Sequence, residues 1–197
     1  MIAIVDYGAG NLSSVKKAFD HIGADVIVTT NVDDLSTADK IVLPGVGHFS
    51  ALRSLEHKGL RAALLQSIRE GKPFLGICLG MQWLFEGSDE FPEVEGAGIL
   101  SGRCRRFPLG VKSPHVGWNS LNPRQDSRLL RGVAAESFVY YTHSFLAPVV
   151  GATCGTSDYG VRFSGAVESA NVFGVQFHPE KSWTVGLHIL KNFCELV

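Results

Sequence analysis

The chain has 197 residues, of which 45% are hydrophobic and 19% are charged, and its formal net charge is −1. This composition is typical of a globular protein, and without an excess of Lys and Arg it gives no sign of a nucleic-acid or anionic-membrane partner. No apolar run approaches the roughly 20 residues that a membrane span needs. The opening residues MIAIVDYGAG do not resemble a signal peptide. We expect one domain over residues 1–197.

In the first half of the chain, predicted strands and helices alternate. Apolar runs predict strands at 2–6, 25–30, 40–43 and 73–78, with Pro44-Gly45 ending the third strand. Helical spacing predicts helices at 12–22, 50–57, 60–70 and 79–85. Continuously apolar strands separated by helices favour a parallel sheet with helices on both faces.

The second half of the chain is richer in predicted strands. They lie at 98–106, 137–141, 165–169 and 172–177, and a last helix is predicted at 185–195. Gly and Pro cluster between residues 107 and 123, which predicts a loop there. The whole pattern predicts an α/β fold with a mixed, mainly parallel central sheet.

A glycine-rich turn, Gly8-Ala9-Gly10-Asn11, follows the first predicted strand. It is similar to a shortened dinucleotide-binding turn, but the third glycine is missing and the second strand ends without an acidic residue. We therefore favour a tight turn in which Asn11 caps the first helix.

Gly76-Ile77-Cys78-Leu79-Gly80 joins an apolar strand to a helix. A residue held between glycines at such a strand-to-helix turn is typical of a nucleophile elbow, here with a thiol. A helix N-terminus favours the thiolate, and the N–H of Leu79 points toward a developing oxyanion. The alternative is a structural, buried cysteine.

His178-Pro179-Glu180 follows the strand predicted at 172–177. Pro179 favours an extended backbone at His178, and residues two apart in an extended segment share a face. Glu180 is therefore predicted to bind one imidazole nitrogen while the other faces Cys78. Both segments follow strands, so they are expected at the carboxyl edge of the sheet, where such folds place their sites.

Together these motifs resemble the class I (triad) glutamine amidotransferases, through GICLGMQ around Cys78, the later HPE, and the order Cys, His, Glu. Within that family, the chain is similar to the glutaminase subunits of imidazole glycerol phosphate synthases of histidine biosynthesis. The further motifs are DYGAGNLSSV, PGVG, PHVGWN and HPEKS. The resemblance covers most of the chain and implies a flavodoxin-like sheet.

The resemblance also implies roles for individual residues. Cys78 would form a glutamyl thioester, His178 would act as general acid and base, and Glu180 would orient it. The oxyanion hole would involve Gly45, Val46 and Leu79. Glutamine would be held by Gln82, Glu90, His143, Ser144 and Phe145, the last in place of the family's usual Tyr. The partner interface would include Asn11, Trp118, Tyr140 and Lys181.

For several of these residues the sequence leaves a plainer role open. Gln82, Glu90 and Lys181 are also compatible with solvated surface positions, and Trp118 with core packing. The segment Pro44-Gly45-Val46-Gly47 is equally compatible with an ordinary strand-to-helix turn.

The resemblance implies a complete reaction and a partner. Glutamine is hydrolysed to glutamate and ammonia without metal or organic cofactor. The ammonia passes to a cyclase subunit, a (β/α)8 barrel that makes imidazole glycerol phosphate and an aminoimidazole carboxamide ribotide. We expect little activity until that partner has bound its own substrate. The alternatives are the glutaminase of another ammonia-using synthase, a free-standing cysteine hydrolase, and a non-catalytic binding module.

The spacing of the four cysteines favours neither a zinc site nor a disulfide framework. Free thiols are typical of a reducing compartment, so we expect a cytoplasmic protein. The residues other than Cys78 are expected to be buried as small hydrophobic side chains. They are Cys104, Cys154 and Cys194.

Overall fold

The computed structural model describes residues 1–196. Its principal strands are β1 (Ile2–Val5), β2 (Val26–Thr29), β3 (Lys40–Gly45), β4 (Phe74–Cys78), β5 (Gly87–Ser88), β6 (Arg103–Arg106), β7 (His115–Pro123), β8 (Ser137–His143), β9 (Phe145–Leu146), β10 (Thr153–Asp158), β11 (Arg162–Ser169) and β12 (Val172–Val175). Its α-helices are α1 (Leu12–His21), α2 (Val32–Thr37), α3 (Arg53–His57), α4 (Leu60–Arg69), α5 (Leu79–Trp83) and α6 (Trp183–Glu195). Two 3-10 turns lie at Phe49–Leu52 and Pro179–Lys181.

Within residues 1–196, nine strands form one sheet in the order β2-β1-β3-β4-β12-β11-β10-β7-β8. The strands from β2 to β12 in this order pair in parallel, and those from β12 to β8 pair antiparallel. A small second sheet joins β5, β6 and β9. The predicted mixed α/β fold is confirmed, with its parallel pairings in the half that contains β1 to β4.

Helices cover both faces of the large sheet. Successive side chains of a strand point to opposite faces. In β1, Ile2 and Ile4 therefore pack in the core that α1 and α6 cover, while Ala3 and Val5 pack in the core that α2 and α4 cover. Burial on both faces explains why the first strands are continuously apolar.

The glycine-rich turn after β1 has the predicted helix cap. Gly8 and Gly10 adopt φ values of +96° and +124°, in the region that favours glycine. The side-chain oxygen of Asn11 accepts a hydrogen bond from the backbone N–H of Ser14 at 3.3 Å. The predicted role of Asn11 as helix cap is confirmed.

The prediction of a loop at 107–123 is wrong for the second half of that segment. Residues 115–123 form β7, which pairs with β8 from His115 opposite His143 to Leu121 opposite Ser137. Gly117 adopts a φ of +135°, so the strand accommodates this glycine through a conformation that favours glycine. The glycine and proline residues of this part therefore belong to an irregular strand and not to a loop.

Other predicted boundaries also need correction. The strand predicted at 98–106 is limited to Arg103–Arg106, and the helix predicted at 50–57 opens as a 3-10 turn. β3 continues through Pro44 and Gly45 instead of ending before them. The N–H of Ile41 points toward β4, and successive N–H groups of a strand point to alternate sides, so the nitrogen of Pro44 points toward β1. The pairing of β1 with β3 already ends at Val42. No ladder bond is therefore lost at Pro44.

Besides β7 and the two-residue strands β5 and β9, two longer elements went unpredicted. The short helix α2 (Val32–Thr37) and the strand β10 (Thr153–Asp158) carry few large apolar residues, which weakens the periodicity that reveals such elements.

Candidate active site

Cys78 lies at the sharp turn between β4 and α5. Its backbone adopts φ 54° and ψ −104°, a conformation that residues with a side chain rarely adopt. Such strain is characteristic of functional sites and is sustained by the surrounding packing. The turn has the strand-turn-helix form of a nucleophile elbow.

Close backbone packing explains the glycines on either side of Cys78. A Cβ at Gly76 would overlap the carbonyl of Gly80, and a Cβ at Gly80 would overlap the carbonyl of Leu43 in β3. The turn is therefore held against the neighbouring strand, and larger residues at these two positions would force the backbone apart.

His178 and Glu180 form a buried pair. The Nδ1 of His178 lies 2.8 Å from Oε1 of Glu180, and both side chains are 1% exposed. His178 has the extended backbone that Pro179 favours, with φ −100° and ψ 98°. Glu180, however, lies in the 3-10 turn Pro179–Lys181, so the contact arises from a tight turn and not from the extended segment that the sequence predicts.

The backbone of β8 fixes the position of His178. The N–H of His178 donates to the carbonyl of Tyr140 at 2.8 Å. The hydroxyl of Ser182 donates to the carbonyl of His178 at 2.7 Å and accepts from the N–H of Tyr140 at 2.9 Å. These bonds hold the backbone of His178 in place, and the contact of its Nδ1 with Glu180 orients the ring.

The second ring nitrogen of His178 is buried and has no hydrogen-bond partner within residues 1–196. Burial lowers the pKa of His178, but its interactions with Cys78 and with Glu180 outweigh burial and raise that pKa above its ordinary value. The imidazole is thus electrostatically coupled to the thiol on one side and to a carboxylate on the other, which is the arrangement of a nucleophile, a base and an orienting group.

A cavity of about 240 Å³ opens beside Cys78. Of the residues predicted to bind glutamine or form the oxyanion hole, six line it: Leu79, Gln82, Glu90, His143, Ser144 and Phe145. Gly45 and Val46 are not part of this lining in the described chain; their neighbours Gly47 and His48 are. A small, mainly polar cavity next to a thiol is suited to a small polar substrate.

Comparison with known proteins agrees with this geometry. Residues 3–196 match the family described as Glutamine amidotransferase class-I. The chain belongs to the class I glutamine amidotransferases. The resemblance and the enzyme class predicted from the motifs are confirmed.

Similar proteins carry a more specific name. The Imidazole glycerol phosphate synthase subunit HisH of Methanothermobacter thermautotrophicus is 50% identical over 199 residues, which cover 100% of this chain and 99% of that protein. The subunit HisH of Bacillus cereus strain B4264 is 48% identical over 195 residues, covering 98% of this chain and 93% of that protein.

Solved structures share the fold. A structure described as "Crystal structure of glutamine amidotransferase" has a TM-score of 0.78 at 17% identity and covers 99% of this chain and 98% of its own. PurLQS from Thermotoga maritima has a TM-score of 0.75 at 19% identity, covering 98% of this chain and 96% of that one. At these identities the comparison supports the class I amidotransferase fold.

Gln82 and Glu90 are tied into the protein as well as facing the cavity. Glu90 accepts the N–H of Phe49 through Oε2 at 2.8 Å. The Nε2 of Gln82 donates to the carbonyl of Phe145 at 2.9 Å and to Oε1 of Gln176 at 3.1 Å. Gln176 in turn has its Nε2 3.7 Å from Sγ of Cys78. The sequence reasoning missed Gln176, although an amide in an otherwise apolar strand two residues before His178 was a usable signal.

His143 forms a second buried pair, with His115, that the sequence reasoning also missed. The Nδ1 of His115 lies 3.1 Å from Nε2 of His143, whose Nδ1 lies 2.8 Å from the carbonyl oxygen of Phe145. Burial lowers the pKa of His143 to about 3 and that of His115 to about 4. Both imidazoles are therefore neutral at neutral pH and contribute to holding the segment that lines the cavity.

The residues predicted at the partner interface lie largely on one exposed aromatic surface. Trp118 is 41% exposed and packs against Tyr140 and Trp183, with ring centroids 5.9 and 4.9 Å apart. Lys181 places its Nζ 5.7 Å from the ring of Tyr140. Trp183 and Phe138, 76% and 60% exposed, enlarge the surface and were not predicted. Asn11 lies at the start of α1.

Three further observations concern residues 1–196. This part of the chain holds no cluster of three or more His, Cys, Asp and Glu side chains suited to a metal ion. None of its helices is both long and apolar enough to cross a membrane. Its four cysteines are free thiols.

Proposed function

We propose that this chain is the glutaminase subunit of an imidazole glycerol phosphate synthase, which hydrolyses L-glutamine for histidine biosynthesis. The observation that carries the proposal is the elbow cysteine Cys78 beside the buried pair of His178 and Glu180. Identities of 50% and 48% to HisH subunits, over nearly the whole chain, support the choice of synthase. The whole chain would form one domain of a cytoplasmic enzyme.

The reaction begins with the thiolate of Cys78. Its sulfur attacks the carboxamide carbon of glutamine, and the charge that develops on the oxygen is bound by the first N–H of α5, on Leu79. His178 gives a proton to the departing nitrogen, so ammonia leaves and a glutamyl thioester remains. His178 then takes a proton from water, whose oxygen attacks the thioester. Glutamate is released and the proton returns to the sulfur.

Glu180 supports His178 in both steps. As a carboxylate bound to Nδ1, it fixes the tautomer that leaves Nε2 facing the reacting groups. It also stabilises the imidazolium that forms when His178 holds a proton. Its other oxygen, Oε2, is buried without a hydrogen-bond partner within residues 1–196.

The segment of Gly45 and Val46 would complete the oxyanion hole. A Cβ at Gly45 would overlap the hydroxyl of Tyr7 and lie 2.8 Å from Cβ of Leu79, so this strand end packs directly against the elbow. Gly47 adopts φ +96°. A glycine on each side of Val46 allows its peptide to rotate toward the cavity, and binding of the partner would favour the rotated state.

The partner would dock on the exposed aromatic surface of Trp118, Phe138, Tyr140 and Trp183. Exposed tryptophans are typical anchors of protein interfaces. The backbone of Tyr140 binds the backbone of His178, so the surface adjoins the catalytic pair. A cyclase with a (β/α)8 barrel seated there would receive ammonia before water protonates it. It would use the ammonia to form imidazole glycerol phosphate and the aminoimidazole carboxamide ribotide.

The decisive experiment measures glutamate release by the purified chain, alone and with a candidate cyclase subunit and its ribonucleotide ligand. Activity that rises steeply in the mixture and disappears in Cys78→Ala is expected. Cys194→Ala, at a half-buried cysteine of α6, is the matched control and should retain activity. Equal activity without the cyclase would indicate an independent hydrolase, and no activity in any mixture would indicate a binding module.

A second experiment tests the docking surface. Trp118→Ala should weaken binding of the cyclase by about 2 kcal/mol, as expected for a central tryptophan anchor. Val28→Ala removes an exposed apolar side chain from β2, at the opposite edge of the sheet, and should leave binding unchanged. Equal affinities for the two variants would place the cyclase elsewhere.

A further inference from the structure

Gln176 lies directly beside the reactive cysteine. It follows β12, which pairs with β4 so that Val175 lies opposite Ile77, and this register brings Gln176 next to Cys78. The residue is fully buried, and its backbone N–H donates to the carbonyl of Gly165 at 2.9 Å. A buried amide in the apolar centre of a sheet must find hydrogen-bond partners there.

The hydrogen-bond network determines which way the Gln176 amide points. The carbonyl of Phe145 can only accept, so the atom of Gln82 that faces it is Nε2. The second hydrogen of that nitrogen is directed at Gln176, which must therefore present Oε1 to Gln82. The donor of Gln176, Nε2, is then the atom that faces Sγ of Cys78 at 3.7 Å.

The sulfur has different partners in its two protonation states. As a thiol, it donates weakly to the carbonyl of Thr142 at 3.9 Å. As a thiolate, it can only accept, and the Gln176 amide is in position to donate to it. Hydrogen bonds to an ionised group are the stronger kind, so Gln176 favours the form that attacks.

We infer that Gln176 is a further residue of the catalytic site: its amide donates to the Cys78 sulfur, stabilises the thiolate, and is itself oriented by Gln82. The inference rests on the proposed function only in taking Cys78 as the nucleophile. It also gives Gln82 a second role, because the same nitrogen that holds the Phe145 carbonyl fixes the amide that faces the sulfur.

The test follows the rate of Cys78 alkylation by iodoacetamide as a function of pH, which requires neither glutamine nor a partner. Burial raises the pKa values of Cys104, Cys154 and Cys194, so these thiols react slowly, and Cys78→Ala supplies the remaining background. Gln176→Met keeps the side-chain length and removes the donor. The midpoint of the profile should move upward by about one pH unit.

Gln176→Glu provides a second measurement, whose midpoint is expected above that of Gln176→Met. One carboxylate oxygen can still accept from Gln82, while the other places negative charge against the sulfur. The midpoint should move further than in Gln176→Met, by roughly two pH units. Asn192→Leu is the matched control, since it removes another buried amide, which donates to the carbonyls of Leu129 and Arg131. Its melting temperature should fall while its alkylation midpoint stays unchanged.

The outcomes separate this inference from the proposed function. An unchanged midpoint in Gln176→Met, measured on folded protein, would overturn the inference even if Gln176→Glu shifts and the wild type hydrolyses glutamine. A midpoint that shifts in Asn192→Leu as much as in Gln176→Met would also overturn it, because loss of stability would then explain both. Ordered shifts, with no glutaminase activity under any condition, would support the inference and refute the proposed function. If Gln176→Met does not fold, Gln176→Glu still reports whether residue 176 faces the sulfur, and an unchanged midpoint in that variant would overturn the inference.

Discussion

The buried pair of His115 and His143 should make this protein lose stability as the pH falls from 7 to 5. Both imidazoles are neutral and their nitrogens are engaged: His143 donates to Phe145, His115 donates to His143, and the Asn119 amide lies 3.4 Å from the remaining nitrogen of His115. An added proton would place two N–H groups against each other in a buried site, which is why the folded protein resists protonation here.

The sign and size of the effect follow from the pKa values. Burial lowers the pKa of His115 to about 4 and of His143 to about 3, whereas an unfolded histidine titrates near 6.5. Above pH 6.5 neither state is charged and the pair has no effect. Below pH 6.5 the two histidines are protonated in the unfolded chain but stay neutral in the folded chain, so the free energy of unfolding falls. At pH 5 this amounts to about 2 kcal/mol for each imidazole, or roughly 4 kcal/mol for the pair.

Urea unfolding at pH 7 and pH 5 measures this loss, and a variant isolates it from the carboxylates that also titrate. His115→Phe retains an aromatic ring between Tyr159 and Tyr141, whose centroids lie 3.9 and 4.8 Å from that of His115. In His115→Phe, the part of the loss in unfolding free energy that the histidine pair contributes between pH 7 and pH 5 should halve, to about 2 kcal/mol. His57→Asn, at an exposed histidine, should behave as wild type. An equal pH dependence in His115→Phe and wild type would refute the reasoning.

Three further predictions concern the elbow and its surroundings. Tyr7→Phe should raise the free energy of unfolding, measured in urea, by about 1 kcal/mol, because the Tyr7 hydroxyl is buried without a hydrogen-bond partner in the described chain. A loss of stability would show instead that a bound water satisfies this hydroxyl. Gly80→Ala should lower that free energy by about 3 kcal/mol, since its Cβ would overlap the Leu43 carbonyl, and a normal melting curve would contradict the close packing. Glu180→Gln should reduce glutamate release by the complex roughly 100-fold by removing the charge that stabilises protonated His178; unchanged turnover would mean that hydrogen bonding alone suffices.

Local patterns in the sequence were enough to predict the parallel half of the fold apart from the short helix α2. Buried parallel strands are apolar throughout, and the helices between them show a regular spacing, so each element signals itself within a few residues. The same holds for Cys78 and for the pair of His178 and Glu180, because an elbow and a two-residue contact are local structures. The pair was predicted with the wrong backbone, since a 3-10 turn and an extended segment both bring residues two apart together.

The antiparallel half was harder to predict because its strands are irregular and partly exposed. β7 contains Gly117 and ends at Pro123, and its identity as a strand depends on pairing with β8 some 20 residues later. Such pairing is a tertiary contact, which composition within one segment does not reveal.

The sequence by itself determined the α/β class, the nucleophile with its histidine and glutamate, and the family to which the chain belongs, because these depend on short motifs and on periodicity. Only the tertiary structure decided that Gln176 faces the thiol and that His115 and His143 form a buried, hydrogen-bonded pair with lowered pKa values. It also decided that Trp183 and Phe138 extend an exposed aromatic surface beside Trp118. The physical reason is that these contacts join residues distant in the chain, and their hydrogen bonds, burial and charges come into being when the strands and helices pack.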